Sequence, residues 1–270
     1  MLKRLPIALA CLVLVFMSCK GYTDSVSLES LPQNPKAGLR LVLDETFDAK
    51  ALNKKLFTSG MPWDAPNNPD NGNLNIYQED ALEVDTGTLK LWARKPVTPI
   101  LHYSGQRFLY SSAMLQTSKH FSLQYGYLEA RAKMPSGKGL WGGFWLLPSN
   151  PIGKWPPEID VVEHHGDKPN KAFFSLHFQD ASGQVQHDIH EVEVPEILDE
   201  YHTYGLLWQP NRIVWYVDGR PVAQSTEGIP QEPMYVLLNL AVGGHWPGSP
   251  DSATHFPASM DIDYLRIWQP

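Results

Sequence analysis

The chain is nearly free of cysteine. Among its 270 residues only Cys11 and Cys19 carry a thiol. From residue 20 onward no disulfide framework can be drawn, so the folded part must rest on a core large enough by itself. A surplus of positive charge is missing too: 22 Lys and Arg stand against 29 Asp and Glu, a formal net charge of −7. No basic stripe runs through the chain, which argues against a nucleic-acid partner. Long apolar runs are scarce. The one at Leu5–Met17 follows Lys3-Arg4 and is too short to span a bilayer. Helical periodicity is equally rare. A helical turn is conceivable over Ile189–Leu198, but Pro195 argues against a long helix there.

A positive start, a short apolar stretch and a small residue before a cysteine make residues 1–19 a secretory signal rather than part of the fold. The sequence Phe16-Met17-Ser18-Cys19 resembles the lipobox of bacterial lipoproteins. It implies acylation of Cys19, export across the inner membrane and a membrane partner through a lipid anchor on the cell envelope. Ordinary secretion with a chance cysteine is the alternative. Residues 20–38, rich in Ser, Pro, Asn and Gly, are expected to form a flexible tether, with one domain from 39 to 270.

What is present is aromatic and alternating. Nine Trp and 11 Tyr suit a neutral polysaccharide partner, because sugars are held by ring faces and hydrogen bonds. Taken singly, each of these rings is better read as filling a β core. Leu89–Arg94, Tyr125–Met134 and Met260–Trp268 alternate apolar and polar residues, as half-buried strands do. Ile213–Val217, Asp218-Gly219 and Arg220–Ala223 have the form of a hairpin. Short strands broken by Gly and Pro, with no internal repeat, predict an all-β sandwich of two antiparallel sheets, expected as a monomer.

The chemistry concentrates in Trp155-Pro-Pro-Glu-Ile-Asp-Val-Val-Glu-His-His-Gly166, where Glu158, Asp160 and Glu163 fall within six residues. Strict alternation would put Glu158 and Asp160 on one face and turn Glu163 inward, where an unpaired carboxylate is costly. One extra residue, a β-bulge around Val161-Val162, returns Glu163 to the acidic face and lets both valines pack. Crowded carboxylates repel, so at least one keeps its proton near neutral pH. That suits a retaining glycosidase, in which one carboxylate attacks the anomeric carbon and the other serves as acid, then base. Such a pair must approach to roughly 5–5.5 Å, whereas five positions along a flat strand span about 16 Å. The sheet must therefore curve. An exposed acidic strand or a cation site is the competing reading. His164 and His165 lack a metal-like spacing, so no zinc site is expected.

At these residues the chain resembles glycoside hydrolase family 16 in its β-bulge form, with signature Glu-x-Asp-x-x-Glu. The likeness extends to Tyr125–Pro148, Asn239–Asp251 and Asp261–Trp268. It implies a β-jelly roll with a concave substrate cleft and gives roles: Glu158 nucleophile, Glu163 acid/base, Asp160 assisting between them. It also places Trp141, Trp145, His177 and Trp246 around the sugar. No cofactor is implied for catalysis. A structural calcium, as many members hold, would use Glu45 and Asp263.

The implied activity is an endo-β-glucanase on β-1,3- or β-1,3-1,4-glucan. Three departures from laminarinase-like members leave strict β-1,3 specificity open: Pro157 before the first glutamate, Gly72–Gln78 near the cleft, and Met114 where Arg is frequent. The alternatives are a hydrolase of another β-linked polymer such as a bacterial exopolysaccharide or algal galactan, a transglycosylase, and a non-catalytic carbohydrate-binding surface lipoprotein.

Overall fold

The structure, a computed structural model, describes residues 27–63 and 65–270. The expected signal segment and Cys19 lie outside these residues. Among them the chain forms nineteen strands, numbered in chain order, and two short 3-10 turns.

Two antiparallel sheets dominate. The first runs in the order β17 (Arg220–Ser225), β16 (Arg212–Val217), β15 (His202–Gln209), β10 (Gly126–Lys133), β19 (Ala258–Gln269), β5 (Thr88–Ala93), β4 (Leu82–Asp85), with β1 (Arg40–Glu45) beside the far end of β19. The second runs β14 (Val185–Glu193), β13 (Lys171–Gln179), β12 (Glu158–His165), β11 (Leu140–Pro148), β18 (Met234–Val242), β9 (Met114–Gln116), β2 (Thr58–Ser59). A short parallel pair, β3 (Asn75–Tyr77) with β8 (Tyr110–Ser112), and a hairpin of β6 (Ile100–Leu101) and β7 (Arg107–Phe108) complete the set. The expected jelly-roll sandwich is the observed fold.

Alternation explains the layers. In β5 the buried positions are every second one, Leu89, Leu91 and Ala93. These meet the inward residues of the second sheet, among them Phe144, Leu146, Ile159 and Leu238, in one core cluster. Strand β18 is buried at all nine positions. Its Val236, Leu238 and Leu240 enter that core. Tyr235 and Leu237 point the other way and pack with Met61, Tyr77 and Met114. Thus loops cover part of the second sheet's outer face. Asp218 (φ 50°) and Gly219 (φ 74°) make the tight turn between β16 and β17, as their side chains permit.

Two expectations change. Residues 189–193 belong to strand β14 rather than to a helical turn; their alternating exposure suits an edge strand and Pro195 follows it. The stretch from residue 27 to 38 is not a free tether. Leu31 is only 2% exposed and packs with Tyr127, Leu207, Val214 and Tyr216 on the outer face of the first sheet. Tyr216 Oη donates to Pro32 O at 2.9 Å, and Lys36 Nζ lies 2.9 Å from the buried Glu129 carboxylate. That sheet face is aromatic and carries a buried acid. The Ser/Pro-rich segment supplies the apolar cover and the counter-charge it needs.

Candidate active site

The bulge is present. Across β12 and β13, Asp160 lies opposite Ser175 while Glu163 lies opposite Phe173, so three steps on β12 match two on β13. On the other flank Trp145 opposes Asp160 and Phe144 opposes Val162. Val161 is therefore the extra residue. Val161 and Val162 are both fully buried in the core. Glu158, Asp160 and Glu163 all line one cavity of about 1040 Å³ on the outer face of the second sheet. A chain with the same residues and no bulge would send Glu163 into that core.

Each glutamate is gripped by an indole. Trp155 Nε1 donates to Glu158 Oε2 at 2.5 Å, and Trp141 Nε1 donates to Glu163 Oε1 at 3.0 Å. Asp160, 3% exposed, lies 3.0 Å through Oδ2 from Nε2 of His177, which stands opposite Glu158 in the ladder. From below, Trp215 Nε1 donates to the Asp160 carbonyl at 2.8 Å. These bonds fix the acidic strand on both sides.

The two glutamates differ electrostatically. Burial and the charge of Asp160 push Glu158 up to about 8, opposed by the His177 ring and the Trp155 bond. Burial and the charges of Asp160 and Glu158 push Glu163 well above the carboxylate range, with only the Trp141 bond opposing. Glu158, beside a cation-capable ring, ionises more readily; Glu163, facing two carboxylates, keeps its proton. For His177 burial disfavours charge, but its bond to Asp160 and the charges of Asp160 and Glu158 outweigh this and raise it.

Aromatic rings continue the cavity in two directions. At the Glu163 end Trp246, 43% exposed, packs against His165, Phe173 and Trp141 with centroids 4.0, 4.8 and 5.6 Å away. At the Glu158 end stand Trp155 and Trp63, 50% and 38% exposed. Trp145 lines the middle, its indole donating to Asn239 Oδ1 at 2.7 Å, and Asn239 Nδ2 donates to Tyr77 Oη at 3.1 Å. Trp141, Trp145, His177 and Trp246 thus all reach the cavity. Trp63, Tyr77, His187, Ile189 and Asn239 reach it as well, beyond the residues that the sequence motifs single out. Of these only Trp63 carries a usable sequence signal, a lone Trp in a Pro- and Asn-rich loop.

The metal expectation fares differently. Glu45 accepts from Phe47 N at 3.0 Å and from Asn53 Nδ2 at 3.2 Å. Asp263 sits at a register shift of β19 and pairs with Arg131 at 2.7 Å. With one carboxylate engaged by amides and the other by a guanidinium, the pair does not fit a shared calcium ion as placed. Among the described residues no group of three or more His, Cys, Asp or Glu is arranged for a metal. His164 and His165 are buried and, chiefly through burial, held down to about 4, hence neutral.

The family model described as glycosyl hydrolases family 16 matches residues 70–266. The chain belongs to glycosyl hydrolase family 16. It is similar to the endo-1,3-1,4-beta-glycanase EglC of Rhizobium meliloti, 38% identical over 190 residues, covering 69% of this chain and 39% of that protein. It is also similar to glucan endo-1,3-beta-glucosidase A1 of Niallia circulans, 29% identical, covering 88% of this chain and 39% of that protein. The chain therefore spans about two fifths of the length of these two relatives. Among solved structures, the endo-beta-1,3-glucanase from Pyrococcus furiosus superposes with a TM-score of 0.75 at 33% identity, covering 88% of this chain and 98% of that one. The match spans the bulged strand, the loop that carries Trp246 and most of β19, so family membership and the acidic site concern the same part of the chain.

Proposed function

We propose that this family 16 chain is a retaining endo-β-glucanase acting on β-1,3- or mixed β-1,3-1,4-glucan. The observation that carries this is the bulge at Val161, which turns Glu158 and Glu163 into one aromatic-lined cleft. Glu158 as carboxylate attacks the anomeric carbon. Glu163 gives its proton to the departing glycosidic oxygen, so the C–O bond breaks and a glycosyl ester on Glu158 forms. Glu163, now a carboxylate, takes a proton from water, whose oxygen displaces Glu158. Asp160, held by His177, shapes the charge between the two.

Rings at both ends of the cavity support action within a chain rather than at its tip, since stacking surfaces exist on either side of the acids. The names of the relatives support β-1,3 and β-1,3-1,4 linkages. The test is product analysis on laminarin, lichenan, agarose and carrageenan with wild type and Glu158→Gln. Oligosaccharides from laminarin or lichenan, absent with the variant, support the proposal. Cleavage of only the galactans, or full activity in the variant, refutes it.

The lipobox-like Phe16-Met17-Ser18-Cys19 supports a second proposal, anchorage to the cell envelope through Cys19. Cys19→Ser should release the protein in soluble form, and unchanged membrane association would count against the anchor.

A further inference from the structure

One contact at the cleft has no part in the reaction just described. Nδ1 of His177 lies 2.6 Å from Nδ1 of His187. The two residues are direct partners across β13 and β14. His187 stands on the edge strand and is exposed. Both rings face Trp155, at centroid distances of 6.2 and 6.4 Å, and Trp155 holds Glu158. His177 is thus bound at both nitrogens, by Asp160 at Nε2 and by His187 at Nδ1.

Two ring nitrogens at this separation share a single proton, one donating and the other accepting. With Asp160 Oδ2 accepting at Nε2, two arrangements remain. His177 is a neutral ring accepting from His187, or it is an imidazolium donating from both nitrogens. The second needs a neutral His187 whose Nδ1 lone pair is free. The titratable groups facing His177 are Asp160 and Glu158 from β12 and His187 from β14. Glu158 faces Asp160 and Glu163 on its own strand and Tyr235 from β18. The Asp160 bond and charge, joined by the Glu158 charge once that group ionises, favour the imidazolium. His187 is held below the ordinary histidine range by partial burial and by the His177 charge, which leaves it neutral and able to accept.

We propose that His187 is a positioning residue: by accepting the Nδ1–H of His177 it keeps that ring cationic against Asp160, and so keeps a positive charge beside Glu158. This rests on the hydrolase reading above for its effect on rate, but not for its effect on His177. Loss of the acceptor lets His177 give up its proton at lower pH. Glu158 then loses a neighbouring cation and ionises at higher pH, so the acid limb of activity moves upward.

Two variants separate this from a structural role. His187→Phe keeps a ring at an exposed edge position and removes the acceptor. His187→Asn restores a side-chain oxygen near the place of Nδ1. The first readout is the NMR titration of the His177 ring in the unliganded protein. The second is the pH profile of kcat/KM on the glucan that wild type cleaves. His187→Phe should lower the His177 midpoint by about one pH unit and move the acid limb of kcat/KM to higher pH. His187→Asn should return both toward wild type. A His177 midpoint in His187→Phe equal to that of wild type overturns the proposal. If wild type cleaves no β-glucan, the hydrolase reading fails, and the titration still decides whether His187 governs His177.

Discussion

The indole of Trp141 donates to Oε1 of Glu163 at 3.0 Å, three residues beyond Asp160 on the bulged strand. Trp155 holds Glu158 in the same manner on the near side. The two acids are therefore matched in their hydrogen bonds and unmatched in their charges. Glu158 has His177 nearby, and Glu163 has only carboxylates. That asymmetry supports the proposed roles, attack by Glu158 and proton donation by Glu163.

Removal of the proton donor should be felt in proportion to the leaving group. Glu163→Gln is expected to cost about 10²–10⁴-fold in kcat/KM on polysaccharide. On an aryl β-glycoside whose phenolate leaves unaided, the first step should be nearly normal. Glu158→Gln should abolish cleavage of both. Burst and steady-state kinetics on the two substrate types check this; equal losses for Glu163→Gln on both would reverse the role.

The site should weaken the fold at high pH. Glu158 holds its proton more tightly when folded, about 8 against an ordinary 4.5. A raised carboxyl stabilises the fold below the unfolded value, and that contribution disappears as pH climbs through the folded value. Glu163 acts in the same direction. Glu158→Gln or Glu163→Gln should therefore raise Tm at pH 8 more than at pH 5, by about 2–4 °C per kcal/mol recovered. Thermal melts at the two pH values measure it, and the opposite ordering would show that the acids are not desolvated.

Gly143 marks a tight point in the floor. It lies opposite Glu163 on β12 and Asn239 on β18. A Cβ added there would stand 3.0 Å from Asn239 Oδ1 and 3.4 Å from the Trp145 ring. Gly143→Ala should displace Asn239 and lower kcat/KM about 10–100-fold, with a melting temperature close to wild type. Unchanged kinetics would mean that Asn239 and Trp145 play no part in seating the sugar.

The segment leading into β1 should behave as part of the folded body. Leu31, 2% exposed among Tyr127, Val214 and Tyr216, predicts a cost of about 2–5 kcal/mol for Leu31→Ala. Denaturant titration would show it, while specific activity of the folded fraction should stay at the wild-type level. A variant as stable as wild type would return this segment to the status of a tether.

Much of this architecture is legible in the amino-acid sequence. Three carboxylates interleaved with Ile159, Val161 and Val162 demand a bulge, because burying Glu163 costs too much and the valines need a core. Alternation marks β5, β10 and β19, and Asp218-Gly219 marks the turn between β16 and β17. The family likeness places Trp141, Trp145, His177 and Trp246 near the cleft. What the sequence hides depends on partners distant along the chain. Asn239 is polar in an apolar strand and acquires meaning only beside Trp145 and Tyr77. His187 is one of three histidines between residues 177 and 190, and strand pairing alone sets it against His177. Leu31 sits in a Pro- and Ser-rich run whose composition suggests a linker, yet an aromatic sheet face captures it. Glu45 and Asp263 lie on paired strands, but Arg131 takes the second carboxylate.

In the proposed mechanism one bulged strand supplies both a nucleophile and a proton donor to a single glycosidic bond. The most direct test is proton NMR of the first sugar released from laminarin or lichenan, recorded before mutarotation. Two displacements, one by Glu158 and one by water, predict that the β-anomer appears first. Initial appearance of the α-anomer would mean a single inversion, and Glu158 could not then be the nucleophile.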